Sequence, residues 1–345
     1  MRPARANAID RFSDPVVLKK LLDAALRERD KARMTAQRHA QVVAEAVQLA
    51  LTSLEIKPVA RPPKDARSKK PEVAVPVLSD WQLAKITKTY NSRVCERRVE
   101  RFAEKVISLT RIQRSDHPVE TAHVWCLGDL IEGELIFPGQ SYLIDSSLYK
   151  QVIVDGPRIL VNFVRAMLSE FQRVHVTVVP GNHGRLGGRQ SKDYHPDTNA
   201  DRMLAGVAMQ VLRGEPRVTW NLAEGMVEGG WYAIDDIGGY RTLLFHGDQI
   251  QGGLTTENHV KKLVLGWKSG GLEGGFDDAF LGHFHVIKRF TFNETAVRVA
   301  GSPESDNAYA VRSFGSKSRP SQHLQFVKPG WGITAEYDCW LDDVR

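Results

Sequence analysis

With 345 residues, 42% of them hydrophobic and 26% charged, the chain can bury a sizeable core, which excludes disorder throughout and any fibrous class. Its net charge of +6 is uneven: residues 1–70 hold 16 Lys+Arg against 8 Asp+Glu, a net of +8, leaving about −2 for residues 71–345. A basic appendage on a nearly neutral body is expected, rather than a molecule that is basic all over.

No stretch reaches the ~18 consecutive apolar residues of a membrane span. The opening "MRPARANAIDRFSDP" also lacks the apolar core of a signal peptide, so a cytoplasmic protein without a membrane partner is expected. Cys95, Cys126 and Cys339 form no CxxC pair and read as buried free thiols.

In chain order, Ser13 can cap a helix with Pro15 just inside it, and nothing breaks the run until about Glu55. Such a helix would be roughly 60 Å long. Apolar residues gather at its ends (Val17, Leu18, Leu21, Leu22; Val43, Val47, Leu51, Leu54), with Arg29, Arg33 and Arg38 between them. There is no continuous heptad seam, so local or partner packing is expected, with self-association through this helix the alternative. Residues 1–56 are thus a basic long helix, "KPVARPPKDARSKKP" within 57–72 a Pro- and Lys-rich linker, and 73–345 the main domain.

From residue 73 short apolar runs alternate with helical stretches, which indicates an α/β architecture. Strands are expected at "EVAVPVL", "AHVWCL", "VHVTVV", "RTLLF", "DDAFL" and "AVRVA". Helices are expected at "RRVERFAEKVISLTRI", "QVIVDGPRILVNFVRAMLSEF" and "NADRMLAGVAMQVL", the last capped by Thr198 or Asn199.

Five of those strands end in polar turns. They supply Asp80 and Gln82, then Gly128 and Asp129, then Gly181, Asn182 and His183, then His246, and finally Gly282, His283 and His285. Ligands of open α/β sheets collect at strand carboxyl ends, so these turns should converge. Asp, Asn, Gln and His without Cys suit Mn²⁺, Fe or Zn²⁺. Seven candidate ligands exceed one ion's need, and two ions bridged by a carboxylate account for the number.

The order Asp-x-Gln, Gly-Asp, Gly-Asn-His, His, Gly-His-x-His resembles the calcineurin-like metallophosphoesterase family over about residues 73–310. The resemblance implies a two-sheet β-sandwich flanked by helices, four layers deep, with the metal site at the strand ends. It implies that Asp80, Gln82 and His285 hold a first metal, that Asn182, His246 and His283 hold a second, and that Asp129 bridges them. His183 would be the general acid that protonates the leaving oxygen, while metal-bound hydroxide attacks phosphorus. Mn²⁺ is the expected metal, with Fe or Zn²⁺ the alternatives.

Two positions depart from the family's pattern. Gln82 stands where a histidine is usual, and an amide oxygen is the poorer ligand for Zn²⁺ or Mn²⁺. Gly184 stands where an acidic residue is common. Arg185 could contact a substrate phosphate; Asp248 and Glu132 read as supporting residues. The turn "GSPESDNAYA" looks like the one with which the family closes its sheet, and the whole arrangement is similar to phage-encoded members, for which the host cytoplasm would be the location.

The leading expectation is a phosphodiesterase or nuclease acting on DNA, with the basic arm on the phosphate backbone. A phosphomonoesterase or small-nucleotide phosphodiesterase is the alternative. A non-catalytic scaffold, its first metal site impaired by Gln82, is the second.

Overall fold

The computed structural model describes residues 19–20, 22–24, 26–27, 31, 58–67, 70–134, 136–186, 198–223, 230–250, 257–306 and 318–344. The chain divides into two compact units, residues 1–46 and 47–345. In the first, every described residue is helical and Leu22 and Leu26 are exposed. The other positions of the helix expected over 13–55 lie outside the described residues.

The second unit holds eleven described strands in two sheets. The first sheet has the order β11-β10-β1-β2-β3-β4, with β1 Val73–Leu78, β2 Thr121–Cys126, β3 Arg173–Val178, β4 Val218–Asn221, β10 Ser321–Lys328 and β11 Gly332–Trp340. Strands β1 to β4 run parallel, and β10 and β11 add antiparallel neighbours beyond β1. The second sheet has the order β5-β6-β7-β9-β8, with β5 Tyr232–Ile237, β6 Tyr240–Phe245, β7 Asp278–Leu281, β8 Lys288–Phe292 and β9 Thr295–Val299. Its central pairs β6–β7 and β7–β9 are parallel.

Four helices, α1 Ser92–Gln113, α2 Gly156–Glu170, α3 Ala200–Val211 and α4 Glu257–Gly266, complete the layers. A π-helical turn, Lys150–Asp155, leads into α2. Strand β1 explains the stacking order. Ala74 and Leu78 pack in a core with α1, α2 and α3, whereas Val73, Val75 and Val77 pack between the sheets with Trp125, Leu244 and Phe280. Both faces of β1 are covered by apolar cores, which is why "VAVPVL" shows no alternation. A third core, with Leu243, Phe245, Val260 and Val264, lies between the second sheet and α4. The result is a helix–sheet–sheet–helix sandwich.

Each expected strand and helix of the main domain is present, and Asn199 caps α3 by accepting from Asp201 N at 2.9 Å. Strands β4, β5, β8, β10 and β11 and helix α4 were not expected. "AVRVA" is therefore not the last strand: β10 follows it and inserts beside β1. Its sequence "SQHLQFVK" is polar at five of its eight positions although nearly all of it is buried, so it carries no long apolar run. Segment 58–67 is non-helical and bonded to the domain, Val59 O accepting from Arg217 and Pro62 O from Gln172. Among the described residues no helix is long and apolar enough to cross a membrane. The three cysteines are free and buried.

Candidate metal centre

The five polar turns leave the carboxyl ends of β1, β2, β3, β6 and β7, and the two stacked sheets bring them to one edge. Four atoms able to ligate a metal meet there. His246 Nε2 lies 3.1 Å from Asp129 Oδ2, 3.1 Å from Asn182 Oδ1 and 3.2 Å from His283 Nδ1. His246 is fully buried, and its Nδ1–H donates to Leu127 O at 2.7 Å, which turns the Nε2 lone pair toward the other three atoms.

Two imidazole nitrogens, a carboxylate and an amide oxygen facing one another form an acceptor-rich cluster that a cation would satisfy, and Asp129, His246 and His283 form a group able to hold a metal ion. Their titration reflects the same crowding. Burial disfavours ionisation of Asp129, yet His246 and His183 outweigh it and hold the carboxyl well below its usual range. Burial opposes charge on His246 too, but Asp129 raises its pKa to about 10; His283 is lowered to about 4 by burial and by His246.

The neighbouring corner has different partners. Asp80 accepts from Ser79 Oγ at 2.5 Å and from His283 N at 3.0 Å, and its Oδ1 lies 3.4 Å from His285 Nε2. His285 Nδ1 lies 3.0 Å from Glu304 Oε2. The Gln82 amide faces His285 Nε2 at 3.3 Å on one side and, through Oε1, accepts from Lys85 Nζ at 2.6 Å on the other. All of the proposed ligand residues therefore gather at one edge, Gln82 with its oxygen toward Lys85.

His183 lies beside the first group. Its Nδ1 is 2.8 Å from Glu132 O, its backbone N–H donates to Asp129 Oδ1 at 2.8 Å, and its Nε2 lies 3.9 Å from Asp129 Oδ2. Burial opposes its protonation, but Asp129 and Glu132 raise its pKa to about 9. Glu132 is fully buried against His183, and Arg185 is ion-paired with Asp248.

Backbone conformation makes these contacts feasible. Asp80, Gln82, Asp129, His283 and His285 all have left-handed φ, between 44° and 71°. Non-glycine residues rarely adopt that region, and such residues persist where surrounding structure holds them. Here the hold comes from Asp201, which no reading of strand ends singled out. From α3, its buried carboxylate accepts from Asp129 N, Leu130 N and Gly181 N at 2.8 to 3.0 Å, tying the turn after β2 to the turn after β3. Burial and the Asp129 carboxylate push its pKa up to about 6.

Gln322 of β10 does the same for the first turn, donating to Ser79 O and accepting from Ser79 N. Gly181 and Gly282 are required by contact: a Cβ at Gly181 would strike Asp129, and one at Gly282 would strike Ser79 and Asp80. Gly184, the departure noted from the sequence, leaves room for the Asn199 side chain. The only sequence signal for Asp201 is its place in the first turn of a capped helix directly after the Gly-Asn-His loop.

A helix–sheet–sheet–helix sandwich with carboxylate, amide and imidazole groups at the strand ends is the architecture that the resemblance of the sequence to the calcineurin-like metallophosphoesterases implies. No protein-family model matches the chain, and no curated protein matches it. Solved structures similar to it include an archaeal phosphodiesterase, with 12% identity over 77% of this chain and 99% of that one and a TM-score of 0.34. A predicted phosphoesterase from Streptococcus pneumoniae matches with 12% identity over 77% and 98% and a TM-score of 0.30. Vps29 of Entamoeba histolytica, crystallised with zinc, matches with 12% identity over 77% and 98% and a TM-score of 0.34.

Proposed function

We propose that the chain is a metal-dependent phosphodiesterase acting on nucleic acid. The observation that carries the metal-dependent reading is the convergence of Asp129 Oδ2, Asn182 Oδ1, His246 Nε2 and His283 Nδ1. These residues would hold a divalent cation, Mn²⁺ by expectation with Fe or Zn²⁺ the alternatives. When bound, such an ion offsets phosphate charge and lowers the pKa of water toward neutrality.

The protein's own contribution centres on His183. Its Nδ1–H donates to Glu132 O, which fixes the ring and leaves Nε2 to deliver a proton to the leaving oxygen. The side chain retains 13% exposure, enough for a substrate oxygen to reach it.

A polynucleotide is favoured over a free monoester by the segment beside the site. Ile86 N donates to Leu143 O, and Asp145 N to Ala84 O, which lays residues 143–145 along the Gln82–Lys85 turn. Phe137, Tyr142 and Tyr149 on this stretch are exposed, Tyr142 at 88%, and offer faces on which bases can stack. The basic residues of segment 1–46 would add backbone contacts.

The test is hydrolysis of bis(p-nitrophenyl) phosphate and of single-stranded and duplex DNA with Mn²⁺, using wild type, His183→Ala and a chain lacking residues 1–46. Metal-dependent DNA cleavage that falls in both variants supports the reading. Turnover of monoesters alone would replace it with the phosphomonoesterase alternative, and no turnover with any substrate would favour the scaffold.

A further inference from the structure

The corner formed by Asp80, Gln82 and His285 has the outline of a second cation site, yet its amide is turned the wrong way. Lys85 Nζ, which can only donate, is 2.6 Å from one end of the Gln82 side chain, so that end is the oxygen. The other end, 3.3 Å from His285 Nε2, is consequently the NH₂ group. It points at the nitrogen that would face an ion, because His285 Nδ1 is already directed at Glu304 Oε2. Flipping the amide would set its NH₂ against the Lys85 ammonium, two donors face to face.

Lys85 is itself fixed. Its backbone N–H donates to Gln82 O at 3.0 Å, closing the turn, and it forms a bridge with Ile144. Its ammonium also pairs with the Glu304 carboxylate at 2.9 Å, and both side chains are largely buried. The corner thus contains a lysine ammonium of its own, placed between an amide oxygen and a buried carboxylate.

We propose that this protein binds one divalent cation tightly, in the Asp129–Asn182–His246–His283 group, and that Lys85 serves as the fixed positive charge on the Asp80 side. Gln82 is then a positioning residue that relays Lys85 to His285, not a metal ligand. The inference rests on the metal-dependent reading proposed above.

The experiment is metal binding to the full-length protein, by calorimetric titration with Mn²⁺ and elemental analysis after gel filtration. One tight ion per chain is expected for wild type. Gln82→Glu presents an oxygen on both faces of the side chain, and should raise affinity for a second ion by ~10-fold or more. Lys85→Met, which frees the amide to turn its oxygen inward, should do the same, whereas Lys85→Arg should keep one ion.

Two equally tight ions in wild type would overturn the role given to Lys85 while leaving the metal-dependent reading intact. No bound ion at all would overturn both. A second site that stays weak in Gln82→Glu would overturn the assignment of Gln82, and that isosteric variant covers the case in which Lys85→Met fails to fold.

Discussion

The two corners of the site stand side by side on the same frame and differ in who supplies the positive charge. Around His246, two imidazoles, a carboxylate and an amide oxygen face one another. Around Gln82, the acceptors are met by the Lys85 ammonium and by the His285 ring. The frame is common to both: strand ends, left-handed turns and buried carboxylates that hold backbone N–H groups. What each corner can bind is decided by one or two side chains at its margin, so neighbouring positions on one scaffold can diverge in chemistry without a change of fold.

The largest effect that would break this comparison comes from the His246 corner. Asp129→Asn or His246→Ala should abolish metal retention and lower hydrolysis by at least ~100-fold, read by elemental analysis and steady-state rates. His183→Gln should retain the ion and reduce the rate by ~10²–10⁴-fold, the range for loss of a general acid. Equal losses of metal in His183→Gln would place that residue among the ligands instead.

Stability should respond most at Asp201. Asp201→Ala leaves three buried N–H groups unpaired and should cost about 3 kcal/mol or more in denaturant unfolding. A smaller effect is expected where the sheets meet. Asp235 of β5 accepts from Trp125 Nε1 at 2.6 Å and lies 2.7 Å from His123 Nδ1, both on β2, and Asp235→Ala should cost about 2 kcal/mol.

Burial works to raise the Asp235 pKa, but the bonds from His123 and Trp125 outweigh it and leave it lowered. Its stabilisation is therefore present above the unfolded value near 3.9 and lost as pH falls through the lower folded value. Acid unfolding of wild type and Asp235→Asn, followed between roughly pH 5 and pH 2, should converge at the acid end. Parallel curves would show that the carboxylate's charge contributes nothing.

Much of the frame was legible because parallel strands buried on both faces write themselves as apolar runs, and polar turns after them are conspicuous. Asp80, Asp129, Asn182, His183, His246, His283 and His285 were singled out in this way, and the structure gathers them at one edge. Residues that act across the sequence were not. Glu304 meets Lys85 over a separation of more than two hundred residues, and Gln322 reaches Ser79 from a strand whose many polar residues concealed it. Lys85 itself reads as an ordinary surface lysine; only the left-handed turn at Gln82 and Ala84 brings its ammonium back onto the amide.

Those left-handed turns also set the terms on which the protein could be made more robust. A glycine at His283 or His285, where φ is 71° and 56°, would adopt the same backbone without steric opposition, and the fold would gain what the imidazole had held in tension. The same exchange would remove the atoms on which any chemistry here depends. Heat resistance and activity therefore pull on these turns in opposite directions.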